Sequence, residues 1–283
     1  MLSLRKRRII TSTLKFRHRD TRRVKWWLKD ESLIPVARSV VAAIRDITNQ
    51  TAPSNGGIIK LNERKIVFRI KHPQDAAQSL VAKVFLLNSF ARRLKYDRYG
   101  LDEAANLIKA RDRGINTPVV YGYGHMHDIL GFVKVNVVIL EDLRGLSSIR
   151  VLMCEKSENE CPKIFMRTIP LFVRLYRTGC KHIDVNNGNV MLCEHDLDSK
   201  VFLIDFQHAK FHSKPSSEIL MFEAGYFARS CHDRVPIETI NQWLDRIFTA
   251  VGIHSSAETQ KMRERFNYYF GTYLSRQERI KIH

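Results

Sequence analysis

The sequence lacks several features that would place it in large classes of proteins. No stretch of 18 uninterrupted apolar residues occurs in the 283-residue chain, so no membrane-spanning helix is predicted. The basic start of the chain is not followed by the apolar segment of a secretory signal. The five cysteines include no Cys-x-x-Cys pair, which disfavours a disulfide framework or a zinc site and favours a reducing, cytoplasmic compartment.

Positive charge, by contrast, is abundant. The formal net charge is +18, and the first 30 residues contain eleven Lys and Arg against two Asp. This segment ends close to Trp26 and Trp27, a combination suited to an anionic membrane surface, where indoles settle at the interface. The same segment could bind nucleic-acid phosphates with stacking on a tryptophan, or form a solvated tail. We therefore define residues 1–32 as a basic N-terminal arm with these three roles open.

Beyond the arm, the periodicity of apolar residues changes once along the chain. Three strands, a helix and two further strands are predicted at residues 58–61, 65–70, 79–87, 101–113, 119–124 and 132–140. From residue 143 the pattern is mainly helical, with a break at Pro170. The order predicts an α+β, bilobal, protein-kinase-like fold. Residues 33–142 would form a small antiparallel β-rich N-lobe and residues 143–283 a mainly helical C-lobe.

Two polar motifs in the helical region match those of kinases. His182 and Asp184 are followed by Asn189, five positions after the aspartate, as in the kinase catalytic loop. Asp205 follows the apolar run VFLI, at the position of the metal-binding aspartate of the kinase DFG element. The alternative for both stretches is a pair of loops built from turn-forming residues.

Two residues of the β-rich region complete the set. Lys83, in VAKVF, corresponds to the strand lysine that holds nucleotide phosphates, and Glu103 opens the helix that supplies its acidic partner. Glu103 would share a helix face with Leu107 and Ala110, which directs it inward. Taken alone, Lys83 is typical of an edge strand and Glu103 of a first helical turn.

Together these residues predict phosphoryl transfer, which requires positioning and charge neutralisation more than covalent chemistry. Asp184 would be the catalytic base for the attacking hydroxyl. Asn189 and Asp205 would supply oxygen ligands to Mg²⁺ of Mg-ATP. Lys83 would contact the nucleotide phosphates and Glu103 would orient it. His182 would hold the loop rather than react.

The chain departs from protein kinases in three places, and these departures narrow the class. Ile183 replaces the arginine that binds a phosphorylated activation loop, and Asn186 replaces a lysine typical of Ser/Thr kinases. Asp205-Phe206-Gln207 lacks the glycine of DFG, and no APE motif follows. A protein kinase switched by phosphorylation is therefore disfavoured. A glycine-rich phosphate loop is absent as well, with only Asn55-Gly56-Gly57 available, where an ordinary turn is favoured.

Over roughly residues 80–230 the chain resembles the lipopolysaccharide-core kinases of the Kdo/WaaP type. The resemblance rests on EAANLIKARDRGINTP, VVILEDL, HIDVNNGNVML and LIDFQHAKF. It implies an ATP- and Mg²⁺-dependent kinase acting on a sugar hydroxyl, Kdo or heptose, of the inner core. It also implies a peripheral membrane protein that acts on an anionic glycolipid at the cytoplasmic face of the inner membrane.

Other functions stay open at this point. One alternative is an atypical protein kinase or another small-molecule kinase, since a fold does not fix a substrate. Another is a basic pseudokinase or nucleic-acid-binding module. The presence of all five site residues disfavours a pseudokinase, and the absence of any nucleic-acid-binding motif makes nucleic acid an unlikely partner.

Overall fold

The computed structural model describes residues 2–20, 24–48, 57–72, 79–194 and 200–283. The turn favoured at Asn55-Gly56-Gly57 lies outside these ranges except for Gly57. The described chain divides into two compact units. Unit 1 comprises residues 1–109 and 118–143, and unit 2 comprises residues 110–117 and 144–283. The proposed arm and lobe boundaries stay predictions.

Unit 1 is built on one sheet. Its strands are β1 (Phe16–Asp20), β2 (Val24–Leu28), β3 (Ile58–Asn62), β4 (Lys65–Lys71), β5 (Ser79–Leu86), β6 (Val120–His127) and β7 (Val133–Glu141). Its helices are α1 (Leu2–Thr13), α2 (Ile34–Thr48), α3 (Phe90–Tyr96) and α4 (Tyr99–Asp112), the last of which runs three residues into unit 2, and a 3₁₀ turn spans Glu31–Leu33.

The seven strands are ordered β1-β2-β6-β7-β5-β4-β3 and every pair is antiparallel. The five predicted strands of this region and the helix predicted at 101–113 are confirmed. β1, β2, α1 and α3 were not predicted. β2 pairs with β6, so part of the basic arm belongs to the sheet.

The two tryptophans of the arm lie on opposite faces of the sheet, because neighbouring side chains in a strand alternate. Trp26 is 1% exposed and packs in a core formed by α2 and one sheet face. Its partner across the strand pair is Gly124, where a Cβ would overlap the indole ring. The interpretation of both tryptophans as a surface pair is therefore wrong for Trp26.

Unit 2 is mainly helical. Its strands are β8 (Leu146–Ser148), β9 (Cys180–Lys181), β10 (Val190–Cys193), β11 (Phe202–Leu203) and β12 (Lys210–Phe211). Its helices are α5 (Ile149–Glu155), α6 (Cys161–Met166), α7 (Ile169–Arg177), α8 (Ser217–Arg229), α9 (Ile237–Val251), α10 (Ser256–Gly271) and α11 (Arg276–Lys281). The predicted helix break at Pro170 is confirmed, because Pro170 opens α7 after α6 has ended.

The core of unit 2 is aromatic. Trp243 of α9 packs against Phe165 and Phe172, with ring centroids 4.8 and 4.9 Å apart. Its Nε1 donates a hydrogen bond to Thr168 Oγ1 at 3.0 Å, which satisfies the one polar atom of the buried indole. α7, which contributes Phe172 to this core, leads into β9 and the loop of the candidate site. No helix in the described part of the chain combines the length and apolarity needed to cross a bilayer.

Candidate active site

Unit 1 contains two predicted site residues, Lys83 on β5 and Glu103 on α4. Lys83 points away from the α2 core, because its neighbours Ala82 and Val84 face that core. Its Nζ forms an ion pair with Oε1 of Glu103, and both side chains are buried. The structure thus brings the lysine and the glutamate together. Their roles toward a nucleotide stay predictions.

The ends of α4 explain why Glu103 is available to Lys83. Gly114 adopts φ 77°, a left-handed conformation that glycine tolerates, and Ile115 N donates to Ala110 O to close the helix. Near the start of the helix, Asp102 forms an ion pair with Lys6 of α1 at 2.9 Å. The helix is thus fixed at both ends, with Glu103 turned inward.

A buried ion pair is weak evidence for a stabilising role, because desolvation of two charges offsets most of their attraction. Lys83 is 6% exposed and Glu103 is 1% exposed. Because burying a charge is costly, a buried ionisable group with a specific charge partner is a candidate for a functional site. The pair therefore points to a role beyond stability.

Unit 2 contains the other three predicted residues, and two of them share one short loop between β9 and β10. The side-chain amides of Asn186 and Asn189 both donate to the carbonyl oxygen of Asp184, at 3.1 and 2.9 Å. Gly188 N donates to Asn186 Oδ1 at 2.9 Å. The loop is therefore closed around the main chain of Asp184. Since Asn189 donates through its amide nitrogen, its amide oxygen is directed elsewhere.

Asp205 is brought beside Asn189 by strand pairing. Val190 pairs with Leu203, and Ile204 N donates to the main-chain oxygen of Asn189 at 3.0 Å. Asp205 has φ 69° and is the only described non-glycine residue with a positive φ. Such a conformation costs energy outside glycine and is often kept at functional sites.

These placements bear on whether the residues fit a magnesium ion. Asp184 and Asp205 line one small cavity of about 20 Å³, which has room for a single water-sized species. Within the described residues, no cluster of three or more His, Cys, Asp or Glu side chains is suited to a metal. The ligand set fits Mg²⁺, which takes few protein oxygens and completes its shell with phosphates and water. Asp205 and the amide oxygen of Asn189 would supply those protein oxygens, a role that stays a prediction.

His182 fixes the loop to the segment before Asp205. Its Nε2 lies 3.1 Å from Ile204 O, and its Nδ1 accepts from Asp184 N at 3.4 Å. Burial lowers the pKa of His182, so the ring is neutral and donates through Nε2. The edge of the ring packs on Phe206 at a centroid distance of 4.7 Å. This geometry gives His182 a structural role.

A buried carboxyl group lies behind this histidine. Glu223 of α8 accepts a hydrogen bond from His182 N at 2.5 Å, and burial raises its pKa well above the ordinary value. The neighbouring Lys181 donates through Nζ to the carbonyls of Ile280 and Ile282, at 2.9 and 2.5 Å. Burial lowers the pKa of Lys181 to about 8. The base of the loop is thus tied to the end of α11.

The side chain of Asp184 has two partners that the sequence did not reveal. Arg279 of α11 forms an ion pair with Asp184 Oδ1 at 2.7 Å and donates to Ile183 O at 2.9 Å. Tyr226 of α8 donates its hydroxyl to the same carboxylate oxygen at 3.1 Å. The guanidinium of Arg279 lies 4.6 Å from the centroid of the Tyr226 ring. In a chain with 47 Lys and Arg, no motif marks Arg279.

With this geometry in place, the chain can be compared with known proteins. Residues 86–218, just under half of the chain, match the family model described as Lipopolysaccharide kinase (Kdo/WaaP) family. A solved structure described as "WaaP in complex with acyl carrier protein" matches with a TM-score of 0.50 and 12% identity. The match covers 80% of this chain and 96% of that chain. At this identity the likeness establishes the fold alone. No curated protein sequence matches the chain at a significant level.

The fold and the family match define a phosphotransferase with a kinase fold, in which an N-terminal antiparallel sheet precedes a helical region. The predicted α+β fold class is confirmed. Over residues 86–218 the chain is similar to the lipopolysaccharide kinase (Kdo/WaaP) family, as the sequence motifs indicated, which makes it a kinase, and the use of ATP follows from that class. Of the five predicted site residues, all but Lys83 lie within the matched segment.

Proposed function

We propose that the protein transfers the γ-phosphate of Mg-ATP to a sugar hydroxyl, of Kdo or heptose, in the lipopolysaccharide inner core. The observation that carries the proposal is the unit 2 loop, in which Asp184 and Asp205 line one small cavity and Asn189 lies beside Asp205. The family description supplies the substrate class. The particular sugar follows the resemblance of the sequence motifs.

In this proposal Asp184 accepts the proton of the attacking hydroxyl, a role worth typically 10²- to 10⁴-fold in rate. Arg279 and Tyr226 are positioning residues, because each contacts Oδ1 of Asp184 and so fixes the orientation of the carboxylate. The second carboxylate oxygen is then the one directed to substrate. Neutral His182 keeps the loop in register with Asp205.

Asp205 and Asn189 would hold Mg²⁺, and the bound ion would neutralise charge on the nucleotide phosphates. Lys83 adds a positive charge toward the phosphates, and Glu103 keeps the ammonium group in place through their ion pair. The hairpin turn between β3 and β4 contains no glycine. Instead Asn62 Oδ1 accepts from Arg64 N and Lys65 N, at 3.0 and 2.7 Å. Because those amides are already satisfied, phosphate binding relies more heavily on Lys83.

We test the proposal by transfer of labelled γ-phosphate from Mg-ATP to lipopolysaccharide or a Kdo-bearing lipid. Asp184→Asn should reduce transfer about 10³-fold with an unchanged melting temperature. The matched control is Asp233→Asn, which removes an exposed carboxylate of unit 2 and should leave transfer unchanged. Label in protein or in another small molecule would favour the alternative kinases. Nucleotide binding without any transfer would favour the pseudokinase.

We further infer that the protein works at the cytoplasmic face of the inner membrane. The net charge of +18 supports this, since each basic residue near an anionic surface is worth about 1 kcal/mol. Replacing the exposed Arg5, Arg8 and Lys15 with Gln should weaken sedimentation with anionic vesicles. The matched control replaces three exposed basic residues of unit 2, Lys214, Arg246 and Lys261. Equal loss in both variants would contradict a role specific to residues 1–32.

A further inference from the structure

Besides the small cavity of unit 2, a cavity of about 380 Å³ lies in unit 1, away from the Lys83–Glu103 pair. Its walls are α1, strands β1, β2, β6 and β7, and the first turn of α4. Its volume lies within the range of small-molecule sites. We call it the α1 cavity. No role proposed above uses it.

Strand register explains why its side chains share one face of the sheet. Arg17 pairs with Trp27, and Trp27 pairs with Tyr123, in adjacent antiparallel strands. Lys25 pairs in the same way with His125. Trp27 stacks on Tyr123 with centroids 5.7 Å apart, so the floor of the cavity is aromatic.

The rim of the α1 cavity is strongly positive. Arg7, Arg17, Lys25 and Arg98 line it against a single carboxylate, that of Asp97. Within the described part of the chain, no carboxylate forms an ion pair with Arg7, Arg17 or Lys25. Arginine presents a planar set of donors that matches phosphate oxygens, and lysine adds a point charge.

The electrostatics of the interior agree with an anion site. Burial, followed by the charges of His127, Lys25 and Arg7, lowers the pKa of His125 to about 3. The ring is therefore neutral at physiological pH. It adds a hydrogen-bonding group and does not reduce the positive charge of the rim. A positive field over an aromatic floor fits a phosphate attached to an apolar or planar group.

The α1 cavity is also linked to Glu103 through the start of α4. Leu101 and Arg98, at the start of α4, line it, and Lys6 of α1 holds Asp102, the residue before Glu103. On the sheet face, Trp27, Tyr123, Val138 and Lys83 are successive cross-strand neighbours. Three strand spacings separate Trp27 from Lys83, roughly 15 Å.

We propose that the α1 cavity binds a small phosphate ester and that its occupancy stabilises α4, and with it the Lys83–Glu103 pair. The binding site stands on its own observations, while the effect on the nucleotide rests on the proposed function. The phosphate could come from a soluble ester or from a phospholipid headgroup.

Phenyl phosphate, which joins a planar ring to a phosphate, tests the site by calorimetric titration of the full chain. The double variant Arg7→Ala/Lys25→Ala should weaken binding at least tenfold. The matched control Arg38→Ala/Lys60→Ala removes one exposed arginine and one exposed lysine elsewhere in unit 1 and should change binding less than twofold. Equal weakening in both doubles, or no saturable binding, would overturn the site. Should the first double fail to fold, Lys25→Gln alone replaces it.

Two further measurements identify the source of the phosphate and test the coupling to the nucleotide. Vesicles of phosphatidylcholine with phosphatidic acid, compared with phosphatidylcholine alone, should bind in an Arg7/Lys25-dependent way if the source is lipid, and independently of these residues if it is soluble. Saturating nucleotide should tighten phenyl phosphate binding about fivefold, because coupling is reciprocal. Competition would place phenyl phosphate in the nucleotide site and refute the proposal. If nucleotide fails to bind at all, the proposed function fails while the titration still tests the cavity.

Discussion

Each unit of the molecule has one ion pair at its candidate site, and the two pairs are built differently. In unit 1, Lys83 and Glu103 are both buried and 20 residues apart in sequence. In unit 2, Arg279 and Asp184 are 95 residues apart, and the aspartate side chain is 31% exposed. The first pair is closed from solvent, and the second presents one partner to it.

This difference in exposure indicates different roles for the two ion pairs. A closed pair fixes the position of a charge, because neither partner can be solvated if the other leaves. A pair with an accessible carboxylate can hold one oxygen while the other meets a substrate. This comparison leads to three predictions, which are ordered by expected effect.

The largest effect is expected at Lys83. Lys83→Met leaves the carboxylate of Glu103 buried without its ammonium partner, so the free energy of unfolding should fall by about 3 kcal/mol or more. Urea unfolding of the purified chain measures this. The double variant Lys83→Met/Glu103→Leu should regain most of the loss and still lack phosphoryl transfer. If the double were as unstable as the single, the closed-pair interpretation would be wrong.

A smaller effect is expected at Arg279. Arg279→Ala leaves Asp184 Oδ1 with the Tyr226 hydroxyl alone and removes the bond to Ile183 O, so kcat should fall by about 10- to 100-fold, with KM for ATP nearly unchanged. Arg279→Lys should restore part of kcat, since the charge returns without the planar fork. Lys281→Ala, which removes an exposed positive charge from the same helix, is the control and should have no effect. A change confined to KM would contradict a positioning role.

The smallest effect, taken per pH unit, concerns the pH dependence of stability that Glu223 contributes. Burial raises the folded-state pKa of Glu223 above the usual 4.5. At pH values between 4.5 and that raised pKa, the folded state therefore binds a proton that the unfolded state has lost. Stability should therefore fall as the pH rises above about 4.5, by at most about 1.4 kcal/mol per pH unit from this group. Glu223→Gln keeps an acceptor for His182 N and should flatten the slope in urea unfolding between pH 5 and 8. Glu238→Gln, at an exposed position, should leave the slope as it was.

Local patterns in the sequence were enough to predict much of the fold. β-branched strands, the helix ending at Gly114 and the break at Pro170 all appear where expected, because each depends on nearby residues. β1 and β2 were missed, since the basic residues of β1 and of the surrounding segment make residues 1–30 resemble a solvated arm. Their strand identity depends on pairing with β6, which is a tertiary contact.

The candidate site divides along the same line. The sequence was enough to propose Lys83, Glu103, Asp184, Asn189 and Asp205, because their order and spacing match kinase motifs, and their roles stay predictions. Arg279 and Tyr226 could not be proposed, because nothing in their local sequence distinguishes them from the other arginines and tyrosines of the chain. Their contacts with Asp184 exist only once α8 and α11 have packed.

The contact between α11 and the loop of Asp184 also bears on the order in which the chain is synthesised. Residues 182–189 leave the ribosome well before Arg279, which is synthesised 95 residues after Asp184. At ordinary elongation rates that interval is roughly 5 to 20 s. During it the loop carries Asp184 without the arginine that orients it. A nascent chain of this protein therefore holds the Asp184 carboxylate without its guanidinium partner until α11 has been made.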